Sequence, residues 1–196
     1  MTESEELLRA ALPKLPSGLA EHVLRVTDEA ARLASVHGVD REAAKIAALG
    51  HDILRAHSGD RLLQIAAEQG YAIDAADAIA PILLHGPLSV EILREQYHVR
   101  DADVLAAVAR HTTAHAGMSP LQKLLFVADK IEPHKMGGRP DVIRVGDLAE
   151  SDLDAALLAY LDYQVQNAVE QRWPLHPNTI AARNELIAAK VGGASK

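Results

Sequence analysis

Six residues spread along the chain have the side chains that transition-metal ions prefer. In chain order they are His22, His51, Asp52, His85, His111 and Asp129. Each lies in or at the end of an apolar segment, where an imidazole or a carboxylate needs a partner to offset its burial. Four histidines and two aspartates in these settings predict a site for two metal ions.

Asp52 is the residue that would link the two ions, because a carboxylate can bridge two cations whereas the neighbouring imidazole serves only one. Taken singly, three histidines have structural alternatives: His22 between the core and the surface of a helix, His85 in a turn and His111 at a helix C-terminus, where the macrodipole favours it. Asp129 lies on an apolar helix face, where a buried carboxylate requires a cation or several donors. We therefore interpret the six residues as one set.

The ligand types also restrict the metal and its chemistry. Four imidazoles and two carboxylates, without thiolates because the chain has no cysteine, suit divalent first-row ions better than calcium or magnesium. Such ions can lower the pKa of bound water to about 7, which provides a hydroxide nucleophile at neutral pH. This set of residues therefore indicates hydrolysis of a phosphate ester without a nucleophilic side chain.

The composition argues against several other classes of protein. The 196 residues carry a net charge of -7, whereas proteins that bind nucleic acid normally present a basic face. The first residues, MTESEELLRA, lack a signal-peptide pattern, and no apolar run approaches the roughly 18 residues that span a bilayer. We expect a cytoplasmic protein, monomeric or homodimeric, that acts on a small molecule and contacts no membrane.

The segments around the six residues have the sequence pattern of helices, with capping residues at their starts. Alanine and leucine are frequent and no useful apolar run has the two-residue period of a strand, so the predicted fold is all-α. Residues that can cap or open a helix precede most apolar segments: Thr2, Ser17, Asp40, Ser58, Pro87, Asp101, Ser119, Ser151 and Asn178 or Thr179. The helix after Asp40 is predicted to continue to about Ala56, and residues 132–140 to form a flexible loop.

The predicted organisation is a single domain with short flanking segments. An N-terminal helix is expected over residues 1–14, the domain that carries the six residues over 15–190, and a disordered tail over 191–196. No repeat or convincing linker divides the chain.

The order His…His-Asp…His…His…Asp resembles the HD-domain superfamily of metal-dependent phosphohydrolases. Within it, the chain is similar to the YqeK family of symmetrical diadenosine-tetraphosphate hydrolases over residues 15–184. The most specific similarity is HTTAHAGMSPLQKLLFVADKIEP, residues 111–133, and LLHGP and HPNTIAARN are also similar. The resemblance implies a single HD-domain helical bundle with a two-metal site between its helices.

The resemblance also implies how the ligands and the reaction are arranged. One ion would be held by His22, His51, Asp52 and Asp129, and a second, bridged by Asp52, by His85 and His111. Iron is the implied metal, with manganese, cobalt or zinc as alternatives. The implied reaction is symmetrical cleavage of diadenosine tetraphosphate to two ADP by a hydroxide that bridges the ions. The alternative is another HD-type nucleotide phosphohydrolase, a nucleotidase or a cyclic-nucleotide phosphodiesterase.

Four cationic side chains are predicted to bind the polyphosphate: Arg55, His115, Lys130 and Arg139. Together with Asp52, Arg55 and His115 are the predicted catalytic residues. Arg55 stands three residues after Asp52, where the superfamily often has lysine, and can make a bidentate contact with phosphate. The family's HTTGR reads HTTAH here, so either a phosphate contact is weakened or His115 replaces it with a pH-dependent one. For each of the four, the alternative is a solvated surface charge.

Overall fold

The structure is a computed structural model that describes residues 1–137 and 139–193. Within these ranges the regular secondary structure is entirely helical, which confirms the all-α class. In chain order the α-helices are α1 (Glu3–Ala11), α2 (Ser17–His37), α3 (Arg41–Gly50), α4 (Gly59–Glu68), α5 (Ala75–Ile79), α6 (His85–Gln96), α7 (Ala102–Arg110), α8 (Pro120–Ile131), α9 (Pro133–Met136), α10 (Pro140–Ala149), α11 (Leu153–Gln171) and α12 (Pro177–Gly193). Two short 3₁₀ helices, Leu12–Lys14 and Pro81–Leu84, precede α2 and α6.

Most helices begin where a side chain accepts hydrogen bonds from the first turn. The predicted caps that do so are Thr2, Asp40, Ser58, Asp101 and Ser119. Short polar side chains at these positions satisfy donors that the helix itself leaves free. The cap of α11 is Asp152 rather than the predicted Ser151, and α2 begins at Ser17 itself without a side-chain cap.

The helix α8 is the centre of the bundle. It packs against α2, α3, α7, α10 and α11, and nearly all of its residues are buried. Its leucine, phenylalanine, valine and isoleucine side chains belong to the hydrophobic core. Asp129 lies on this helix and is 5% exposed, so its carboxylate is held inside the bundle.

The helix α3 is shorter than predicted. It ends at Gly50 rather than near Ala56, and the chain continues in turns, in which the Arg55 N–H donates to the Asp52 carbonyl. A Cβ on Gly50 would lie 2.8 Å from Leu93 Cδ2 of α6. The backbone of α3 is therefore approached closely by another helix at the point where it ends.

The segment predicted as a flexible loop, residues 132–140, contains the helix α9 and leads into α10, while Gly138 lies outside the described residues. Pro140 suits the first turn of α10, and Val142 and Val145 bury that helix against the core. The predicted tail, residues 191–196, is helical as far as Gly193, and its last three residues lie outside the described part. No helix in the described ranges is long and apolar enough to cross a membrane.

Candidate metal centre

The six predicted ligands come together inside the bundle, although they belong to separate helices. His22 lies on α2, His51 and Asp52 directly follow α3, His85 opens α6, His111 directly follows α7, and Asp129 lies on α8. The side chain of His22 is 12% exposed, and the other five residues are 5% exposed or less. Folding therefore gathers imidazoles and carboxylates that are far apart in the chain into one largely buried cluster.

Asp52 lies between two groups of histidines. Its Oδ1 atom is 2.9 Å from His85 Nε2 and 3.5 Å from His111 Nε2. Its Oδ2 atom is 3.5 Å from His51 Nε2 and 3.7 Å from His22 Nε2. The two oxygens of one carboxylate thus face two different groups, which is the arrangement expected of a ligand that bridges two cations.

Asp129 completes the group around His22 and His51. Its Oδ1 atom is 3.1 Å from His22 Nε2 and 3.8 Å from His51 Nε2. Two ligands bound about 2.1 Å from one ion lie about 3–3.5 Å apart, so these separations are close to those of a coordination shell. Two sets of donor atoms lie within 4.8 Å of one another, namely His22, His51 and Asp129, and His51, Asp52 and His111.

Three of the histidine rings are oriented in the same way by the backbone. The Nδ1–H group of each ring donates to the carbonyl three residues earlier in the chain. The pairs are His51 with Ala48, His85 with Ile82 and His111 with Val108. Because a carbonyl only accepts, the ring proton is on Nδ1 and the Nε2 lone pair points into the cluster.

A carboxylate, rather than a carbonyl, orients His22. The Nδ1 atom of His22 is 3.3 Å from Glu132 Oε1, and Glu132 also accepts from Arg25 Nε at 2.7 Å. Burial alone would raise the pKa of Glu132, but the hydrogen bond from Arg25 holds it below its usual value. Carboxylates commonly hold the far side of a metal-ligating histidine in this way. Glu132 was not singled out from the sequence, where it follows the end of α8 as one more charged residue.

This arrangement leaves lone pairs and carboxylates directed at one another. His85 Nε2 and His111 Nε2 are 3.0 Å apart, and with both ring protons on Nδ1 neither nitrogen can donate to the other. The Nε2 atom of His51 is buried and has no hydrogen-bond partner among the described residues. Buried acceptors that face one another need a cation, so the residues present fit divalent metal ions.

The protonation states favour metal binding. Burial lowers the pKa of His111 to about 4 and also lowers the pKa of His51. Both rings are therefore neutral at pH 7, as ligation requires. The cluster thus presents neutral imidazoles to a metal ion.

Two lysines compensate the charge of Asp129. Lys130 Nζ contacts Asp129 Oδ2, and Lys135 Nζ lies 2.6 Å from Asp129 Oδ1. Burial alone would raise the pKa of Asp129, but the two ammonium groups hold it well below its usual value. Lys130 was a predicted substrate-binding residue, whereas Lys135 was missed because its segment was interpreted as a flexible loop.

A cavity of about 230 Å³ opens beside the cluster, and we call it the metal cavity. Its walls include Asp52, Arg55, His85, His111, Thr112, Asp129, Lys130 and Lys135. The side chain of Arg55 is exposed and pairs with no other described residue. The Oγ1 atom of Thr112 is buried and also lacks a partner within the described ranges. A free guanidinium and a free hydroxyl are suitable donors for a bound anion.

Two predicted phosphate-binding residues lie elsewhere. His115 is in the loop before α8, where its Nε2 is 2.6 Å from Gln122 Oε1 and its Nδ1 is 2.6 Å from the Ala116 carbonyl. Both ring nitrogens are engaged away from the metal cavity, so the position of His115 does not support its predicted catalytic and phosphate-binding roles. Arg139 donates to the Tyr163 hydroxyl at 2.8 Å and lines a separate cavity.

Comparisons with known proteins identify the family of the domain that carries this cluster. A family model described as the HD domain matches residues 19–134. The chain is 31% identical over 184 residues to the Bacillus subtilis protein named bis(5'-nucleosyl)-tetraphosphatase, symmetrical, with 94% of this chain and 97% of that protein covered. It is 30% identical over 182 residues to the protein of that name from Halalkalibacterium halodurans, with 92% and 95% covered. A solved structure from Clostridium acetobutylicum, described as a "predicted HD superfamily hydrolase involved in NAD metabolism", has a TM-score of 0.86 and 34% identity, over 94% of this chain and 96% of that one.

Proposed function

This chain belongs to the HD-domain superfamily and, within it, to the YqeK family of symmetrical bis(5'-nucleosyl)-tetraphosphatases, and we propose that it hydrolyses diadenosine tetraphosphate to two ADP at the cluster around Asp52. One observation carries the proposal: imidazole lone pairs and two carboxylates converge beside a cavity with cationic walls. Similarity to symmetrical tetraphosphatases over nearly the whole chain supports the choice of substrate.

We propose that two divalent first-row ions bind in the cluster, with iron as the expected metal and manganese, cobalt or zinc as alternatives. The first would be held by His22, His51, Asp52 and Asp129, and the second by Asp52, His85 and His111. A donor set of imidazoles and carboxylates supports this class of metal. When bound, such ions lower the pKa of coordinated water and neutralise negative charge on a phosphoryl group.

The polyphosphate of the substrate would occupy the metal cavity. Arg55, Lys130 and Lys135 contribute positive charge to its walls, and Thr112 contributes a free hydroxyl. A guanidinium can hold two phosphate oxygens at once, whereas an ammonium acts as a point charge. These groups would orient the phosphate chain and stabilise the charge that develops at the reacting phosphorus.

A second groove gives the polyphosphate room to extend beyond the metal cavity. It measures about 390 Å³, shares Asp52, Arg55 and Lys135 with the metal cavity, and continues to Pro16 and Gly18 at the start of α2. A tetraphosphate that is cleaved in its middle needs space for two phosphates and a nucleoside on each side of the reacting bond. Grooves that share the bridging carboxylate meet this requirement.

The nucleotide products of diadenosine tetraphosphate hydrolysis test the proposal. Protein loaded anaerobically with iron should release ADP as the only nucleotide product. Asp52→Asn should lose bound metal and slow hydrolysis by at least about 100-fold, because a lost ligand should cost no less than a lost outer-shell partner. Asp28→Asn, at an exposed position on α2, should match the wild type. Formation of AMP plus ATP, or no turnover by metal-loaded protein, would contradict the proposal.

A further inference from the structure

Another cavity, separate from the groove at the start of α2, adjoins the metal cavity and is lined by aromatic and amide side chains. It measures about 680 Å³ and is formed largely by one face of α11 and the chain that follows it. The aromatic and amide residues in its walls are Tyr160, Tyr163, Gln164, Asn167 and Trp173. We call it the aromatic cavity. Its volume suits a small organic ligand, since binding pockets typically measure about 300–1,000 Å³.

Two features join the aromatic cavity to the metal cavity. Leu83 lines both of them. Lys130, whose Nζ contacts Asp129, also lies 5.8 Å from the centroid of the Tyr160 ring. The aromatic cavity is therefore a neighbouring space for the group attached to phosphates that occupy the metal cavity.

Gln164 lines the aromatic cavity and has a hydrogen-bond acceptor without a partner in the described part of the chain. Gln164 Oε1 is buried and accepts no hydrogen bond from any described residue. The other buried side-chain atoms of this kind in the described ranges are His51 Nε2 and Thr112 Oγ1, which belong to the metal site and its cavity. Leaving a buried acceptor unsatisfied is unfavourable, so a donor from a ligand or a water molecule is expected. The exocyclic amine of adenine is such a donor, and glutamine is one of its usual partners.

Trp173 provides an aromatic surface on the same cavity. It is 60% exposed and is held by the turn that ends α11, in which Arg172 has a φ of 56° and the Trp173 N–H donates to the Ala168 carbonyl at 2.9 Å. Nucleic-acid bases stack on aromatic rings whatever their sequence, because every base has a π face. Trp173 is therefore suited to contact a base.

The positively charged side chain of Arg139 also lines the aromatic cavity. The guanidinium of Arg139 is 5.4 Å from the centroid of the Tyr163 ring and donates to the Tyr163 hydroxyl at 2.8 Å. This contact fixes the cation on the cavity wall, where it can attract a phosphate attached to a nucleoside. The role predicted for Arg139 from the sequence is thus consistent with a position outside the metal cavity.

We propose that the aromatic cavity binds the nucleoside of one half of the substrate, with the base stacked on Trp173 and its exocyclic amine donated to Gln164. Arg139 would contact the phosphate nearest the ribose. The inference rests on the proposed function, because the metal cavity defines where the phosphates lie. Gln164 would determine which base is accepted, whereas stacking on Trp173 would add affinity for any base. Neither residue would take part in the chemical step.

The fluorescence of Trp173 reports directly on the aromatic cavity, because it is the only tryptophan in the chain. We expect ADP to change this fluorescence saturably in metal-loaded protein. Gln164→Leu should raise the Kd for ADP about 10-fold through loss of one buried hydrogen bond. Gln166→Leu, at an exposed position on the same helix, is the matched control and should leave the Kd unchanged.

Kinetics provide a second measurement that does not depend on the fluorescent residue. Trp173→Ala should raise the KM for diadenosine tetraphosphate about 10-fold through loss of stacking, with a much smaller change in kcat. Metal content should equal that of the wild type, which distinguishes loss of nucleoside binding from damage to the metal site.

The outcomes separate this inference from the proposed function. If the protein hydrolyses diadenosine tetraphosphate but ADP leaves the fluorescence unchanged and Gln164→Leu keeps the wild-type Kd, the inference is wrong and the proposed function stands. If ADP binding depends on Gln164 but the tetraphosphate is not hydrolysed, the cavity is a nucleotide site and the proposed reaction is wrong.

Discussion

His51, His85 and His111 each donate the Nδ1–H of the ring to a backbone carbonyl three residues earlier. Because these carbonyls belong to helical turns, the hydrogen bonds hold the rings in fixed orientations relative to the helices. The Nε2 lone pairs are thereby directed at Asp52 without any bound ligand. Such preorganisation favours metal binding, since the ligands do not have to be ordered when the ion arrives.

Glu132 is the residue that we expect to position His22. Glu132→Gln should weaken metal binding about 10–100-fold, because it removes the charge that holds Arg25 and the His22 ring. The measurement is a metal titration in competition with a chromophoric chelator, with folding checked by circular dichroism.

Glu150→Gln is the matched control for Glu132→Gln. Glu150 also pairs with an arginine, Arg32, at 2.7 Å, but that pair is largely exposed and lies outside the cluster. The control should bind metal with wild-type affinity. Equal affinity in Glu132→Gln and the wild type would show that Glu132 does not position a ligand.

Acidification should destabilise the metal-free protein through its buried histidines. The pKa of His111 is about 4 in the folded protein, against an ordinary value of 6.5, so the unfolded chain binds a proton that the folded chain does not. The stabilising contribution is present above pH 6.5 and is lost as the pH falls toward 4. From pH 7 to pH 5, this residue should lower the free energy of unfolding by about 2 kcal/mol.

Urea denaturation at a series of pH values checks this expectation. His111→Gln should lose part of the decline in unfolding free energy below pH 6.5, because it removes one of the groups responsible. His98→Gln, at an exposed histidine paired with Glu3, should retain the wild-type decline. The explanation fails if both variants show the same pH dependence as the wild type.

The residues that sequence reasoning found are those whose burial is unfavourable without a partner. Histidine and aspartate on apolar segments stand out for that reason. Glu132 and Lys135 do not, because they lie in a polar segment, and their roles arise only when the chain folds back onto His22 and Asp129. His115 attracted attention through the HTTAH motif, but its ring is held against α8.

Helix ends supply most of the ligands, and a glycine determines how closely two of these helices meet. Gly86 lies in the first turn of α6, beside the end of α7. A Cβ at this position would lie 2.8 Å from the Val108 carbonyl oxygen and 3.2 Å from the ring of His111. Any larger residue would therefore have to displace backbone as well as a ligand.

Gly86→Ala should lower the free energy of unfolding by about 1–3 kcal/mol through overpacking and should also weaken metal binding. Gly50→Ala is the matched comparison, because the nearest atoms to its Cβ belong to the side chain of Leu93 and not to backbone or to a ligand. Alanine also favours a helix by about 1 kcal/mol relative to glycine, which offsets that contact. Thermal denaturation and metal titration of both variants test the difference. Equal losses in the two variants would contradict it.

The starts of helices were more predictable from the sequence than their ends. Asp40 and Ser58 cap α3 and α4 as expected, because a short polar side chain accepts from its own first turn. The end of α3 at Gly50 was not predicted, although glycine is unfavourable within a helix. The helix α10 was not predicted, since no side chain caps its start; it packs against α8 and α11.

Over the whole molecule, the central helix α8 connects the metal cluster to the metal cavity and to the aromatic cavity. It contributes Asp129 to the cluster and Lys130 to the metal cavity, and it packs against α11, whose Tyr160 lines the aromatic cavity. The chain has a net charge of -7, which opposes binding of an anionic substrate at long range. Arg55 and Lys135 place positive charge where the phosphates are expected, and such local fields can outweigh the net charge.

The dinuclear centre is tested most directly by a crystal structure of protein loaded anaerobically with iron, with anomalous diffraction measured at the iron absorption edge. We predict two peaks about 3.5–4 Å apart, one bound by each oxygen of Asp52. His22, His51 and Asp129 should surround one peak, and His85 and His111 the other. A single peak, or two peaks that do not share Asp52, would contradict a centre in which this carboxylate bridges two ions.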